Sequence, residues 1–382
     1  MNKRIIIIRN AYSRDFGGGE RFPVFLAESL SKQARNPIIV SRNPRLLQLA
    51  TEKGIVTIRG WWWSNQKWNG WRILFFPMYV GWQTVLYFWY RQLFSRLHPD
   101  VVHIQSKDDF IAASYAARHS GAQVIWTDHA DLKHVWKNLS TKLKNPIGKW
   151  IYRTANRADT ITVVSKSELN EVRSRLPKKS PIRDRISVVY NGCADTKSSY
   201  PYKNRESVTF VIANRLVTDK GIYEVIEAFC NLQNKYKNIA LIIAGDGPEK
   251  EKFIQQAIGV PGISFIGHQH DPYTVISQAD IFLQPTYHEG FSVVLVEASM
   301  LGRAIIATDV GGNPEIIHDR KTGLLVPPKD SISLADAMEL LYKDRALRTL
   351  IAKNARRQYE KLFVFDTIVK ERFLPLYDKA TH

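Results

Sequence analysis

Short apolar runs alternate with longer segments that suit helices along most of the chain. The first run, residues 5–8, consists of four isoleucines, and a glycine-containing loop and a predicted helix follow it. An apolar run of about four residues bounded by a loop is typical of a parallel strand covered on both faces. Further runs of this kind occur at PIIVSR, VVHIQS, QVIWTDH and TITVVS and, in the second half, at VTFVIAN, IALIIAGDG, ISFIGH, DIFLQPT, AIIAT and GLLVPP.

This alternation predicts an α/β protein with two Rossmann-like, doubly wound domains. A polar stretch without periodicity, residues 195–207, is the predicted boundary between them. The length of 382 residues agrees with this division, because it exceeds what a single core of ordinary size holds.

Residues 61–90 interrupt the alternation. They contain seven of the ten tryptophans, and residues 73–90 carry no charge over 18 positions. A helix of that length measures about 27 Å, which is marginal for crossing a bilayer, and Pro77 and Gly81 weaken that interpretation. Tryptophan and tyrosine beside basic residues are typical of the headgroup region. We therefore predict an insert in the first domain that contacts a membrane surface. The alternative is a helix hairpin packed internally or against another copy of the chain.

Composition bounds the cellular setting. The chain is 45% apolar and 24% charged, as soluble globular proteins are. Its two cysteines, Cys193 and Cys230, are too few for a disulfide framework or a metal cluster, which favours a reducing compartment. The four isoleucines near the N-terminus are too short for a secretory signal. These features predict a cytoplasmic protein.

The net charge of +18 lies entirely in the first half. Residues 1–200 contain 32 Lys and Arg against 14 Asp and Glu, and subtraction from the totals of 54 and 36 leaves 22 of each in the remainder. Such asymmetry indicates that one half faces a polyanion, either nucleic acid or an anionic membrane. The alternative is a basic proteome in general.

The segment HEGFSVVLVEASM is the strongest candidate for chemistry in the second half. We predict a helix that begins near Gly290, whose unpaired backbone N–H groups and positive dipole end suit a phosphate. Glu289 directly precedes this start. Glu297 lies eight residues later, about two turns along the same face, where its two oxygens could bind a ribose diol.

Loops after other strands carry matching residues. Arg215 and Lys220 follow the first strand of the second half, where ligands of α/β sheets bind, and provide two cations for a diphosphate. Residues 245–248 are a predicted turn at the carboxyl edge of the same sheet, and the glycines of TDVGGNPEII allow close backbone approach to a ligand. In the first half, Gly17, Gly18 and Gly19 directly precede a helix.

Taken in order along the chain, these elements resemble the retaining family 4 glycosyltransferases of GT-B architecture. The matching elements are the GGxE loop (Gly17, Gly18, Glu20), PDVVH, His129 after a strand, VVYNG, NRLVTDKG, AGDGP, FIGH, EGFSVVLVE, GGxxE (Gly311, Gly312, Glu315) and TGLLVPP. No single motif is decisive, but the ordered set is specific and covers nearly the whole chain apart from the tryptophan-rich insert. The departures are Asn214 for a usual glycine, Ser292 and Arg303 for frequent prolines, and Ala130 between His129 and Asp131.

The resemblance implies two Rossmann-like domains facing a cleft. They are an N-terminal acceptor-binding domain at residues 1–200, a C-terminal nucleotide-sugar-binding domain at residues 201–362, and a final helix at residues 363–382 that crosses back to the first domain. It also implies that no metal is required, because cationic side chains and a helix start take its place. The adjacent acids Asp108 and Asp109 only imitate an Asp-x-Asp metal motif.

The resemblance also assigns roles to residues. Arg215 and Lys220 would hold the donor diphosphate and stabilise the leaving group, Glu289 would contact hydroxyls of the donor sugar, and Glu297 would bind the ribose. His129 would hydrogen-bond the donor sugar or lie near the reacting carbon. The remaining predicted binding groups are backbone amides of Gly18, Gly19, Gly290, Phe291, Ser292 and Val293. The alternatives are that Arg215 and Lys220 are a solvated loop pair and that His129 is structural. Glu289 would then be favoured by the helix dipole, Glu297 would be exposed on the helix, and the glycines would form ordinary turns.

These implications predict a retaining hexosyltransferase at the inner face of the cell membrane. Its donor would be a UDP- or GDP-linked sugar, and its acceptor a lipid-linked or membrane-embedded glycan in cell-surface polysaccharide or lipopolysaccharide synthesis. The basic, aromatic segment at residues 131–157 supports an anionic membrane as partner. The alternatives are another GT-B enzyme, such as a sugar-nucleotide epimerase or a phosphorylase, and a basic nucleic-acid- or membrane-binding protein without catalysis. No nucleic-acid-binding motif is recognisable, so no nucleic acid is predicted as partner.

Overall fold

The computed structural model of the chain describes residues 3–10, 18–61, 76–137, 139, 145–200 and 207–379, with the side chains of residues 18–20 excepted. The described chain divides into two compact units. Unit 1 holds the residues up to Asn191 and those from Phe365 onward, and unit 2 is Gly192–Val364.

Unit 1 contains one parallel sheet with the strand order β3-β2-β1-β4-β5-β6-β7. The strands are β1 (Arg4–Ile8), β2 (Asn36–Ser41), β3 (Val56–Arg59), β4 (Val101–Ile104), β5 (Gln123–Asp128), β6 (Thr160–Val163) and β7 (Ile186–Val188). The helices before unit 2 are α1 (Gly18–Lys32), α2 (Pro44–Glu52), α3 (Phe76–Leu97), α4 (Phe110–His119), α5 (Leu132–Val135), α6 (Pro146–Ala155) and α7 (Lys166–Arg175).

Unit 2 contains a second parallel sheet with the order β10-β9-β8-β11-β12-β13. The strands are β8 (Val208–Ala213), β9 (Ile239–Ala244), β10 (Ile263–Gly267), β11 (Ile281–Gln284), β12 (Ala304–Thr308) and β13 (Leu324–Val326). The helices are α8 (Ile222–Lys235), α9 (Lys250–Gln256), α10 (Pro272–Ile276), α11 (Val293–Met300), α12 (Asn313–Ile316), α13 (Ser331–Lys343) and α14 (Arg345–Leu362). The predicted pair of doubly wound parallel sheets is confirmed.

The isoleucine run of β1 shows why the apolar pattern is continuous. Ile6 and Ile8 pack into the core on one face of the sheet, with α3 and α4, whereas Ile5 and Ile7 pack into the core on the other, with α1. Successive side chains of a strand point to opposite faces, so a strand covered on both sides needs apolar residues at every position. Burial of each side chain contributes about 1.5–3 kcal/mol.

Two strands, β3 and β7, are absent from the sequence prediction. β3 lies at the edge of the sheet, and the side chain of its first residue, Val56, is 60% exposed. β7 is only three residues long and occupies the opposite edge. An edge strand is covered less and therefore lacks the continuous apolar run that identifies the central strands.

The second part of the tryptophan-rich segment belongs to α3, which connects β3 to β4. This helix packs against α4 and buries a stripe of side chains at helical spacing, namely Tyr79, Gln83, Leu86, Tyr90 and Phe94. Residues 62–75, on which the rest of the predicted insert falls, lie outside the described residues. None of the helices in the described ranges combines the length and hydropathy needed to cross a bilayer.

The end of the chain completes the second core of unit 1. It forms α15 (Phe365–Ile368), a π-helical turn and α16 (Leu374–Asp378). Phe365 and Phe373 pack edge-on against Phe22 of α1, with ring centroids 5.6 and 6.0 Å away. The hydroxyl of Tyr377 is 2.7 Å from Nδ1 of the fully buried His103 on β4. The last helices are therefore part of the fold of unit 1.

Candidate functional site

Each sheet has one point where neighbouring strands lead into connections that run in opposite directions. It lies between β1 and β4 in unit 1 and between β8 and β11 in unit 2. The loops that leave such a pair of strands separate and open a crevice at the carboxyl edge, where doubly wound proteins bind ligands. We call this place the switch point of each unit.

The switch point of unit 2 brings two predicted site residues together. Lys220 follows β8 and Glu289 follows β11, and the Lys220 Nζ lies 3.2 Å from Oε2 of Glu289. Their side chains are 23% and 21% exposed. A half-buried ammonium held at this position can bind a phosphate oxygen, and the carboxylate beside it can accept hydrogen bonds from hydroxyl groups.

Backbone contacts fix the Lys220 loop to the β11 loop. The Thr286 hydroxyl donates to the carbonyl oxygen of Asp219 at 3.1 Å, and the Tyr287 N–H donates to the same oxygen at 2.8 Å. Gly221 ends the turn with φ of 71°, and a Cβ there would lie 2.1 Å from the Pro285 carbonyl oxygen. Only glycine permits this approach, so the backbone that carries Lys220 is held against the β11 loop.

Glycines hold the other loops at the same edge. A Cβ on Gly245 would lie 1.8 Å from the Asn214 carbonyl oxygen, and one on Gly247 would lie 2.2 Å from that of Leu216. A Cβ on Gly311, whose φ is 52°, would lie 1.7 Å from the Glu289 carbonyl oxygen. The close approach expected of these glycines is therefore made to neighbouring loops, including the peptide that carries Glu289.

The helix after β11 begins at Val293, so the predicted start near Gly290 is wrong. Ser292 is the N-cap residue with extended dihedral angles, and its side chain caps nothing. Gly290 and Phe291 are loop residues, and the relation of Glu289 and Glu297 along one helical face does not hold. Phe291 is buried against Phe363, with 5.9 Å between ring centroids, and this contact anchors the loop before the first turn of the helix.

The other predicted residues of unit 2 differ in exposure. Glu297 lies on α11 and is only 2% exposed, which removes the alternative of a solvated helical glutamate. Arg215 is exposed in the loop after β8. Ser292 is 2% exposed, and its hydroxyl has no hydrogen-bonding partner. A buried orphan hydroxyl at a helix start can serve a ligand, because an unmade hydrogen bond there is unfavourable.

His129 directly follows β5 in unit 1. Its Nε2 atom is buried without a hydrogen-bonding partner, and its ring lies edge-on to Phe22 with 5.2 Å between centroids. Burial, aided by the charge of Arg9, holds the pKa of His129 well below its usual range. The imidazole is therefore neutral at pH 7, and its buried Nε2 atom has no hydrogen-bonding partner among the described residues.

The glycine loop of unit 1 is described only in part. Gly18 and Gly19 form the first residues of α1, so their N–H groups belong to a helix start. Gly17 lies outside the described residues. Their predicted contact with the phosphate or the acceptor stays a prediction.

Sequence reasoning missed a pair of buried acids beside His129. Asp128 ends β5 and accepts hydrogen bonds from the N–H groups of Asp131 and Leu132 at 2.9 and 3.0 Å. The buried carboxyl group of Glu168 on α7 lies near Asp128, and neither of its oxygens has a hydrogen-bonding partner among the described residues. Burial raises the pKa of Asp128 to about 6 and that of Glu168 to about 9. The negative charge of Asp131 adds to the shift of Asp128, and that of Asp128 adds to the shift of Glu168.

The available signal for this pair was the sequence Ser165-x-x-Glu168 at a helix start. It resembles a capping box, and Ser165 does cap α7 by accepting from the Glu168 N–H at 3.0 Å.

The adjacent acids Asp108 and Asp109 do not belong to this pair. Asp109 is buried and accepts hydrogen bonds from Asn10 and Tyr90 at 3.0 and 2.8 Å.

Comparison with known proteins identifies the family. Residues 196–358 match the model described as "Glycosyl transferases group 1", and residues 16–196 match that of "Glycosyltransferase Family 4". Alpha-D-kanosaminyltransferase of Streptomyces kanamyceticus is 26% identical over 307 residues, which are 74% of this chain and 78% of that protein.

Two further proteins show the range of similarity. The N,N'-diacetylbacillosaminyl-diphospho-undecaprenol alpha-1,3-N-acetylgalactosaminyltransferase of Campylobacter jejuni is 28% identical over 177 residues, 46% of each chain. The crystal structure of Anabaena Alr3699/HepE in complex with UDP and glucose has a TM-score of 0.75 at 17% identity, over 99% of this chain and 100% of that one. With the two family models adjoining across residues 16–358, the chain belongs to the group 1 and family 4 glycosyltransferases and has their GT-B architecture.

Proposed function

We propose that this glycosyltransferase moves a hexose, with retention of configuration and without a metal, from a nucleoside diphosphate sugar to a lipid-linked or membrane-embedded glycan. The product would enter cell-surface polysaccharide or lipopolysaccharide synthesis. The Campylobacter relative, by its name, acts on a diphospho-undecaprenol acceptor, which supports this acceptor class.

The contact between Lys220 and Glu289 carries the donor half of the proposal. It places a cation and a carboxylate at the switch point of unit 2, in loops tied to each other by backbone hydrogen bonds. In this proposal Lys220 and Arg215 bind the diphosphate and Glu289 accepts hydrogen bonds from the sugar. The buried Glu297 binds the ribose hydroxyls, and backbone amides at residues 290–293 bind phosphate oxygens.

The proposed chemistry breaks the bond between the anomeric carbon and the diphosphate oxygen. The acceptor hydroxyl forms the new bond on the same face of the sugar, and its proton passes to the departing phosphate. Negative charge develops on the diphosphate as the bond breaks, so a fixed ammonium stabilises the transition state more than the ground state. His129, neutral and with Nε2 unpaired in the structure, is the proposed hydrogen-bonding partner of the sugar.

An exposed apolar face on α3 supports membrane contact. Met78, Val85 and Phe88 lie at helical spacing on the side opposite the buried stripe and are 67%, 49% and 58% exposed. Arg91 and Arg96 follow toward the end of the helix and are exposed. Apolar side chains beside basic ones suit the boundary of an anionic leaflet, where each Lys or Arg contributes about 1 kcal/mol. We therefore propose peripheral association with the inner face of the cell membrane.

Thermal-shift measurement with UDP, GDP and ADP tests the donor site. A ligand that binds only the native state raises the unfolding temperature, and we expect one of the three to do so. Lys220→Ala should reduce that shift, because the diphosphate loses a fixed cation. Lys235→Ala is the matched control, since Lys235 is also in an ion pair of unit 2, with Glu339 at 2.9 Å, and should leave the shift unchanged. Equal shifts in the two variants would mean that the donor binds away from Lys220.

Product analysis tests the mechanism. NMR of the product should show the anomeric configuration of the donor, and an inverted product would contradict retention. Activity should survive a chelator, and loss that added Mg²⁺ or Mn²⁺ restores would contradict metal independence. Formation of an isomerised nucleotide sugar or a sugar phosphate, with no new glycosidic bond, would instead indicate an epimerase or a phosphorylase.

Vesicle flotation tests membrane contact. The protein should float with anionic phospholipid vesicles at physiological salt, and Phe88→Ser should reduce the floating fraction. Ile332→Ser is the control, because Ile332 is 70% exposed on unit 2, away from α3. Absence of flotation in the wild type would remove the membrane from the proposal.

A further inference from the structure

We propose that Gln105, at the switch point of unit 1, binds a hydroxyl or acetamido group of the acceptor sugar. This inference rests on the proposed function and names a residue of the acceptor subsite. Gln105 directly follows β4, the strand beside β1 in the middle of the sheet. It thus occupies the place in unit 1 that corresponds to the donor loops of unit 2, where a doubly wound sheet opens a crevice.

The Gln105 side chain is buried and has both of its polar atoms unused. The residue is 1% exposed, and neither Nε2 nor Oε1 has a hydrogen-bonding partner. More than nine-tenths of buried polar groups are paired in proteins, and an unpaired buried amide costs about 1–3 kcal/mol. A protein retains such an unpaired amide where a bound ligand supplies the missing hydrogen-bonding partners.

The backbone around Gln105 is fixed, in contrast to its side chain. Its N–H donates to the Ile8 carbonyl oxygen at 2.9 Å, and its own carbonyl oxygen accepts from Nη1 of Arg9. The next residue, Ser106, accepts from the Asn10 N–H through its hydroxyl oxygen. Arg9 is therefore a positioning residue, and the free amide is presented at a defined point.

A second buried atom without a hydrogen-bonding partner lies at the end of the neighbouring strand. β5 pairs with β4, and His129 after β5 carries a buried Nε2 without a partner. β4 lies between β1 and β5 in the sheet, so Gln105 lies between the end of β1 and His129. Ala130, directly after His129, and Lys107, two residues after Gln105, are partly exposed. The unused groups thus lie just beneath the surface.

The chemistry of the amide specifies the ligand class. Its N–H₂ group donates and its oxygen accepts, so full pairing needs a partner that does both. Sugar hydroxyl groups and the acetamido group satisfy this requirement, whereas a phosphate or an alkyl chain does not. The structure therefore assigns Gln105 to the glycan of the acceptor and not to its lipid or its diphosphate.

The test compares Gln105→Met with Gln83→Met. Both replace a buried glutamine by an apolar side chain of similar length, but Gln83 is fully paired, donating to the Asp108 carbonyl oxygen at 3.0 Å and accepting from the Ala112 N–H at 3.1 Å. In urea, Gln83→Met should unfold at a lower concentration than the wild type. Gln105→Met should unfold at the same or a higher concentration, because it removes an unpaired amide.

Binding of octyl glucoside, octyl galactoside and octyl N-acetylglucosaminide, below their micellar concentrations and without donor, supplies the second measurement. In saturation-transfer NMR the wild type and Gln83→Met should bind at least one of them, and Gln105→Met should bind it about tenfold more weakly. A lower unfolding midpoint for Gln105→Met, absence of glycoside binding in the wild type, or equal binding by all three proteins would overturn the inference.

The nucleotide thermal shift keeps the two proposals separate. Gln105→Met should retain the wild-type shift with the nucleotide that stabilises the protein, because Gln105 belongs to unit 1 and the donor residues belong to unit 2. A retained shift together with unchanged glycoside binding overturns only the role of Gln105. Absence of any shift in the wild type overturns the proposed donor site instead.

Discussion

Replacement of Glu168 by glutamine should stabilise unit 1 relative to the wild type, and this advantage should grow as the pH rises. In the folded protein burial raises the pKa of Glu168 from 4.5 to about 9, so the group keeps its proton at pH 7. In the unfolded chain the same group loses its proton near pH 4.5. The folded state therefore binds a proton that the unfolded state releases, and its stability falls as the pH rises through this interval.

The magnitude depends on the assay pH and not on the exact pKa of the folded state, provided that this pKa stays above the assay pH. Each pH unit above 4.5 costs about 1.4 kcal/mol of unfolding free energy, which amounts to about 3.5 kcal/mol at pH 7 and about 0.7 kcal/mol at pH 5. Glutamine has no proton to lose and is close to glutamic acid in size. The advantage of Glu168→Gln over the wild type should therefore grow by about 3 kcal/mol between pH 5 and pH 7.

Tryptophan fluorescence during urea unfolding measures this effect in the relevant unit, because all ten tryptophans lie in residues 61–150. Glu171→Gln is the matched control, since Glu171 lies one turn further on α7 with a half-exposed side chain in an ion pair with Lys133. Its difference from the wild type should stay small and constant over the same pH range. Parallel pH profiles for the wild type and Glu168→Gln would refute the assignment of a retained proton.

Three further substitutions test other parts of the structure. Tyr377→Phe should lower the free energy of unfolding of unit 1 by about 1–3 kcal/mol, as seen by fluorescence in urea, because Nδ1 of the buried His103 loses its partner; an unchanged midpoint would contradict this. Gly311→Ala should weaken nucleotide binding in thermal-shift titrations, whereas Gly259→Ala, at a similar positive φ with open space around it, should not; equal effects would contradict the loop packing. Glu297→Gln should lower nucleotide affinity about tenfold by calorimetry, and wild-type affinity would contradict the ribose contact.

The central strands could be predicted from the sequence because burial on both faces leaves a continuous apolar run. Residues 5–8 are the clearest case, and each isoleucine contacts one core or the other. The edge strand at Val56 could not be found in this way, since much of it is exposed. Periodicity therefore reports how a strand is covered, and it detects a strand only where coverage is complete.

The candidate site was predictable in its order along the chain and less so in its geometry. The loops with Lys220 and Glu289 follow strands whose positions the sequence reveals, and they meet because those strands are neighbours in the sheet. The helix start at Val293 depends on the packing of Phe291, a contact between distant residues that local pattern does not encode. Gln105 could not be predicted for the same reason, because only the folded structure shows that its side chain lacks hydrogen-bonding partners.

The return of the chain end to unit 1 has a consequence for synthesis on the ribosome. Unit 2 is continuous, so all of its residues are available as soon as Val364 has emerged. Unit 1 still lacks Phe365, Phe373 and Tyr377 at that moment, and with them one wall of its second core. In a nascent chain that has emerged from the ribosome only as far as Val364, we expect unit 2 to resist protease and unit 1 to be sensitive, although unit 1 is translated first.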